Sequence, residues 1–180
     1  MNQKLSSIYL VGMMGSGKST IGKVVARMLG RPFIDLDQEI ETRCGVRIPV
    51  IFEIEGEEGF RKRETQTLED LSQRQGIVLA TGGGAVTQAV NREILQTNGL
   101  VVYLKASVDE LYRRTKRDRN RPLLATKDPK ARLHQLMQER AAFYEEIADI
   151  VMETNGKSVS TVARRLAEKI RESQKQSCNP

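Results

Sequence analysis

Residues Gly12-Met13-Met14-Gly15-Ser16-Gly17-Lys18-Ser19 constrain this chain more than any other stretch. They fit the phosphate-loop pattern G-x-x-x-x-G-K-[ST], and the flanking sequence has the right character. Ser7-Ile8-Tyr9-Leu10-Val11 reads as a short buried strand, and Ile21, Val24, Val25, Met28 and Leu29 recur at helical spacing. Glycines let the backbone curl until its N–H groups converge on phosphate oxygens, and the following helix N-terminus adds partial positive charge. A chance match in a chain of this size is on the order of one in a hundred, before strand and helix are required. The stretch therefore predicts a nucleoside triphosphate site. The loop and first helical turn from Gly15 through Ser16, Gly17, Lys18, Ser19 and Thr20 would cradle the phosphates. Lys18 would reach the β- and γ-phosphates, and the Ser19 hydroxyl would ligate Mg²⁺.

The rest of the chain repeats that strand-then-helix alternation. Apolar runs at Ile8–Val11, Phe33–Leu36, Ile77–Ala80, Leu100–Leu104 and Asp149–Met152 read as strands. Amphipathic stretches separate them, as expected of an α/β parallel sheet covered by helices on both faces. The longest helical candidates are Gly56–Arg74, Lys130–Ile147 and Ser158–Glu172. Two places interrupt the alternation. Residues 37–74 hold two or three helical pieces, one started by Pro49, in a connection that usually holds one helix. Residues 116–128 are strongly polar and bounded by prolines. These are expected to be a substrate-binding insertion and a lid within a single domain of residues 1–172, followed by a polar, frayed tail at 173–180.

Composition excludes several classes. The 180 residues carry a net charge of +6, which invites a nucleic-acid reading. Arg113, Arg114, Lys116, Arg117, Arg119 and Arg121 stand against Asp118 alone in their segment, so the excess charge is local. Aromatic residues are only 4% and do not interleave with that run, which argues against base stacking. There is no apolar run long enough to span a bilayer, and because Met1-Asn2-Gln3-Lys4 leads straight into the first predicted strand, no signal peptide is expected. Cys44 and Cys178 have no metal-like spacing and are expected as reduced thiols in the cytoplasm. With His134 the single histidine, multi-histidine metal sites are excluded.

Chemistry concentrates where strands end. Asp35-Leu36-Asp37 closes the second predicted strand, and period-two alternation places both carboxylates on one side, beyond the carboxyl edge of the sheet. One could hold Mg²⁺ through water while the other orients or deprotonates an acceptor hydroxyl; the plainer alternative makes Asp37 a helix cap. Thr81-Gly82-Gly83-Gly84-Ala85 follows the third strand and lets a small ligand approach the backbone. Arg140 lies on the inward stripe of its helix, where a guanidinium needs an anionic partner. Arg61 could be a surface ion pair with Glu64 three residues on. Two arginines aimed at one site would suit a planar carboxylate.

On the phosphate loop, Asp35-Leu36-Asp37, Gly56-Glu57 with Phe60-Arg61 and Glu64, Gly82-Gly83-Gly84-Ala85, Arg121-Pro122-Leu123-Leu124, and Glu139-Arg140 followed by Tyr144, the chain resembles the shikimate kinases from about Ile8 to Ile170. That resemblance implies a nucleoside monophosphate kinase-like fold with strand order 2-3-1-4-5. It implies ATP-dependent phosphorylation of the shikimate 3-hydroxyl on the way to chorismate, by a cytoplasmic monomer. It assigns Lys18 to the transferred phosphate, Ser19 to Mg²⁺, Asp35 to the metal through water, and Asp37 to the shikimate hydroxyls as base. Arg61 and Arg140 would bind the carboxylate with Gly82 and Gly83 alongside, Arg121 would close in on the lid, and Arg114 would pack against adenine. Asn155-Gly156-Lys157 stands where many members carry a second adenine-flanking arginine. Rival readings are a gluconate or nucleoside monophosphate kinase of the same fold, a GTPase without its Asn-Lys-x-Asp signature, and a nucleotide-gated RNA-binding module.

Overall fold

A computed structural model describes residues 6–118 and 121–176. The expectations attached to Met1–Lys4, to Arg119, to Cys178 and to the end of the tail lie outside the described residues.

Five parallel strands form the centre: β1 (Ser7–Val11), β2 (Phe33–Asp35), β3 (Val78–Ala80), β4 (Gly99–Lys105) and β5 (Ile150–Glu153), in the order β2-β3-β1-β4-β5. Register is continuous across the middle, with Leu10 opposite both Ala80 and Val102. Alternation along β1 sends Tyr9 and Val11 to one face and Ile8 and Leu10 to the other, and all four are fully buried. A strand buried on both sides needs helices on both sides. One layer is α1 (Lys18–Leu29) with α7 (Val159–Gln176), whose Ile21, Val25, Leu166 and Ile170 cover Ile8 and Leu10. The other layer holds α2 (Leu36–Cys44), α3 (Ile48–Ser72), α4 (Ala89–Asn98), α5 (Val108–Thr115) and α6 (Pro129–Ile147).

The turn from β1 into α1 depends on Gly17, which caps the helix at φ 98°, a left-handed conformation costly to any residue with a Cβ. β3 and β4 flank β1 on opposite sides, so connections leave in opposite directions there and open a crevice at the strands' carboxyl ends.

Two expectations need correction. β2 stops at Asp35, not Leu36, because the Asp35 side chain accepts from the amides of Asp37 and Gln38 and caps α2. Asp37 is thus the second residue of a helix, and period-two alternation is not what aims it. The helix expected over Gly56–Arg74 is the second of two pieces of α3, divided at Gly56, and the piece ahead of it is the one expected to start at Pro49. α3 starts at Ile48, with Pro49 in its first turn, and bends at Gly56, whose φ of 69° and ψ of −176° are non-helical. The second correction is to the tail: α7 continues through Gln176 past the expected frayed end. Arg31 donates to Gln174 Oε1 at 3.1 Å and Arg171 donates to the Met28 carbonyl at 2.9 Å, tying the last turns to α1.

Candidate active site

A cavity of about 1050 Å³ opens over the carboxyl ends of the strands, and nearly every candidate residue lines it. On one side is the phosphate loop. Lys18 is buried, and its Nζ donates to the carbonyls of Gly12 at 2.7 Å and Met13 at 2.9 Å, so the ammonium folds back over the loop. Burial pulls its pKa down to about 8, against the pull of the nearby Asp37 and Asp35 carboxylates. Ser19 Oγ donates to Asp35 Oδ2, while Asp35 Oδ1 is committed to capping α2. The cap thus orients the carboxylate that meets the Ser19 hydroxyl.

Ser16 is the one candidate of the loop that does not face the cavity. Its side chain is fully buried beneath the loop and its amide donates to the Met13 carbonyl at 3.1 Å. Its carbonyl receives Arg114, which also donates to the Gly15 carbonyl, to Thr154 and to Glu110. Pairing with Arg113 and Arg114 brings the Glu110 carboxyl down to about 2. Arg114 is therefore a fixed plate on the cavity wall. Asn155 Oδ1 accepts from the Ser107 amide at 2.9 Å, whereas Gly156 and Lys157 line the cavity.

The opposite side carries the acceptor candidates. Asp37 Oδ1 is buried with no protein partner. Burial, reinforced by Asp35, pushes its carboxyl up to about 6 against the pull of Lys18 and Arg61. Arg61 does pair with Glu64, at 2.7 Å, but the pair is buried and not on the surface: Arg61 is 8% exposed and Glu64 0%. Glu57 adds a second contact at 3.2 Å. Gly84 is required here, because a Cβ would collide with the Arg61 guanidinium. Arg140 is 3% exposed, and its Nε and Nη1 find no protein acceptor. A buried guanidinium with idle donors demands an anion.

Between the two sides stands Arg121, half-buried, its Nε 2.8 Å from Asp118 Oδ2. Its charge is felt at both Lys18 and Asp37. A short 3₁₀ turn, Pro122–Leu124, follows and already seats Leu124 in the core.

The cavity thus collects Gly15, Gly17, Lys18, Ser19, Thr20, Asp35, Asp37, Arg61, Gly82, Gly83, Arg114, Arg121 and Arg140 from distant parts of the sequence. Sequence reasoning missed Glu64 as part of the site. Its spacing from Arg61 was visible, but that spacing describes a solvated pair equally well. Burial of Glu64 raises its carboxyl to about 7, and its Oε1, like Asp37 Oδ1, abuts Gly82 without a protein partner. Such an arrangement sets a buried carboxylate and two buried guanidinium groups across one cavity from the phosphate loop.

Comparison with known proteins agrees with this geometry. The shikimate kinase family model matches residues 14–171. A shikimate kinase of Bordetella avium (strain 197N) is 60% identical over 163 residues, covering 91% of this chain and 78% of that protein. The solved shikimate kinase of Acinetobacter baumannii in complex with shikimate superposes with a TM-score of 0.88 at 50% identity, over 96% of this chain and 94% of that one. A gluconokinase of Sinorhizobium meliloti 1021 shares the fold alone, with a TM-score of 0.57 and 19% identity over 96% of this chain and 99% of its own.

Proposed function

The chain belongs to the shikimate kinase family, and from that premise we propose that it transfers the γ-phosphoryl group of ATP to the 3-hydroxyl of shikimate, with the residues acting as follows. The observation that carries the reading is Arg140: a buried guanidinium with two idle donors, lining the same cavity as Lys18 and Asp37.

Arg140 and Arg61 hold the acceptor carboxylate, and Glu64 keeps Arg61 in place. Asp37 receives the proton of the attacking hydroxyl, and its raised pKa brings it nearer the working pH than an ordinary carboxyl. Lys18 leaves the Gly12 and Met13 carbonyls for the phosphates. Ser19 and Asp35 form a hard-oxygen donor set in direct contact, which fits Mg²⁺. When bound there, the ion would supply charge neutralisation across the β- and γ-phosphates. Arg114 presents its face to the adenine. We read the protein as a cytoplasmic monomer, in which Cys44 would stay a reduced thiol.

Shikimate is expected to drive ADP formation in a coupled assay with Mg²⁺, and an analogue lacking the carboxylate is expected to be ten- to more than a hundredfold poorer. Loss of a charged hydrogen bond costs about 1.5–3 kcal/mol. Equal turnover with gluconate or a nucleoside monophosphate rejects the assignment.

The lid role of residues 116–128 rests on Arg121. Arg121→Ala is expected to lower kcat about a hundredfold, because a preorganised donor is removed from developing charge. ATP affinity should change little and Tm should hold, since the side chain is half-buried and its protein contact is the ion pair with Asp118. A silent substitution makes Arg121 one more solvated charge.

A further inference from the structure

The turn after β3 is held from behind by side chains that never reach the cavity floor. Tyr144 of α6 donates its hydroxyl to the Gly83 carbonyl. Thr87 Oγ1 donates to the Gly84 carbonyl at 2.7 Å, Asn91 Nδ2 to Ala85 at 2.9 Å, and Arg92 Nη1 to Val86 at 2.8 Å. Four successive carbonyls are thus taken by protein donors. The amides of Gly82, Gly83 and Gly84 have no protein acceptor among the described residues, and all three glycines line the cavity. The turn is also pressed on the phosphate loop: a Cβ on Gly83 would lie 3.1 Å from the Met14 amide nitrogen. Tyr144 itself has no freedom. It is fully buried, its ring stacks on Tyr103 with centroids 5.0 Å apart, and it lies one helical turn beyond Arg140. Arg92 is fixed in turn, 4.2 Å over the Phe143 ring of the same helix.

We infer that Tyr144 is a positioning residue for the acceptor, setting the glycine turn in one register with Arg140 and with the phosphate loop, and that Arg92 supports it. The proposal rests on the acceptor site described above. α6 carries both the guanidinium that would take the carboxylate and the hydroxyl that fixes the turn. A shift of the turn relative to α6 changes the spacing between these two acceptor contacts, while the loop from Gly12 to Ser19 keeps its own hydrogen bonds.

Tyr144→Phe removes one oxygen and keeps the stacked ring. The expected result, by calorimetry and steady-state kinetics, is a five- to thirtyfold rise in Kd and KM for shikimate, about what an unsatisfied buried acceptor costs. Kd for ADP should stay within twofold of the wild type. Arg92→Gln should move shikimate affinity the same way by a smaller factor, and Tyr144→Phe should be less than additive with Arg140→Lys. A structural role alone would lower Tm without splitting the two ligands. Shikimate affinity within twofold of wild type in folded Tyr144→Phe overturns the proposal, as does an equal loss of ADP affinity. If Tyr144→Phe does not fold, unchanged shikimate affinity in Arg92→Gln overturns it. A wild-type protein that neither binds nor phosphorylates shikimate rejects the acceptor assignment instead, before any variant is compared.

Discussion

Lys18→Met is expected to abolish nearly all phosphoryl transfer, a loss of about a hundred- to a thousandfold in kcat, in a protein that folds normally. The size follows from removing one preorganised donor at developing negative charge, about 2.7–4 kcal/mol. The folding half of the claim follows from burial. Lys18 is only 8% exposed, so it is not the solvated loop lysine that a glycine-rich turn suggests. Burial lowers its pKa to about 8, so the folded state holds the ammonium at a cost, relieved by the Gly12 and Met13 carbonyls. Methionine fills the same volume without that cost and forfeits those two hydrogen bonds, so the effects on stability oppose each other. The lowered pKa also has a kinetic signature. As pH rises through about 8 the free enzyme loses the Lys18 charge, and kcat/KM for ATP should fall on that limb. A folded Lys18→Met protein with near-normal turnover would reject the phosphate-loop mechanism.

The five strands and the phosphate side of the cavity were legible because they rest on short-range rules, whereas the order 2-3-1-4-5 was implied only by the family resemblance. The loop from Gly12 to Ser19 carries its own geometry, and five apolar runs in alternation with amphipathic helices leave few ways to build a sheet. What the sequence hid depends on which neighbour wins a hydrogen bond. Asp35 and Asp37 look like a strand pair until Asp35 is seen to spend one oxygen on the amides of α2. Arg61 and Glu64 look like a surface pair until Gly84 leaves room for the guanidinium and the turn after β3 closes on the carboxylate at Gly82. Tyr144 reads as an apolar core position and is one, yet its hydroxyl reaches Gly83, sixty-one residues away. Spacing along a helix reveals a face. It does not reveal what that face meets.

Asp37→Asn is expected to depress kcat at least a hundredfold while raising stability, and the two effects share one cause. Asp37 Oδ1 is buried without a partner, and its carboxyl holds its proton to about pH 6, against 3.8 for the ordinary group. Between those values the folded state binds more protons than the unfolded state, so stability falls as pH rises through that window and stays reduced above it. The shift corresponds to about 2–3 kcal/mol, an upper bound because the residue is only partly buried. Asparagine carries no charge to desolvate and escapes that loss. The Tm of Asp37→Asn should therefore draw ahead of wild type between about pH 4 and 6 and remain ahead at pH 7. Catalysis runs the other way. An amide cannot take the proton of the acceptor hydroxyl, and kcat/KM for shikimate in the wild type should fall as pH drops below about 6, a limb the variant should lack. ADP affinity should hold, since the phosphate loop keeps Lys18, Ser19 and Asp35. Asp35→Asn should differ on every count: it weakens the contact to Ser19 and raises the Mg²⁺ requirement, with shikimate affinity spared. Loss of nucleotide affinity in Asp37→Asn with shikimate affinity intact would exchange the roles of the two acids.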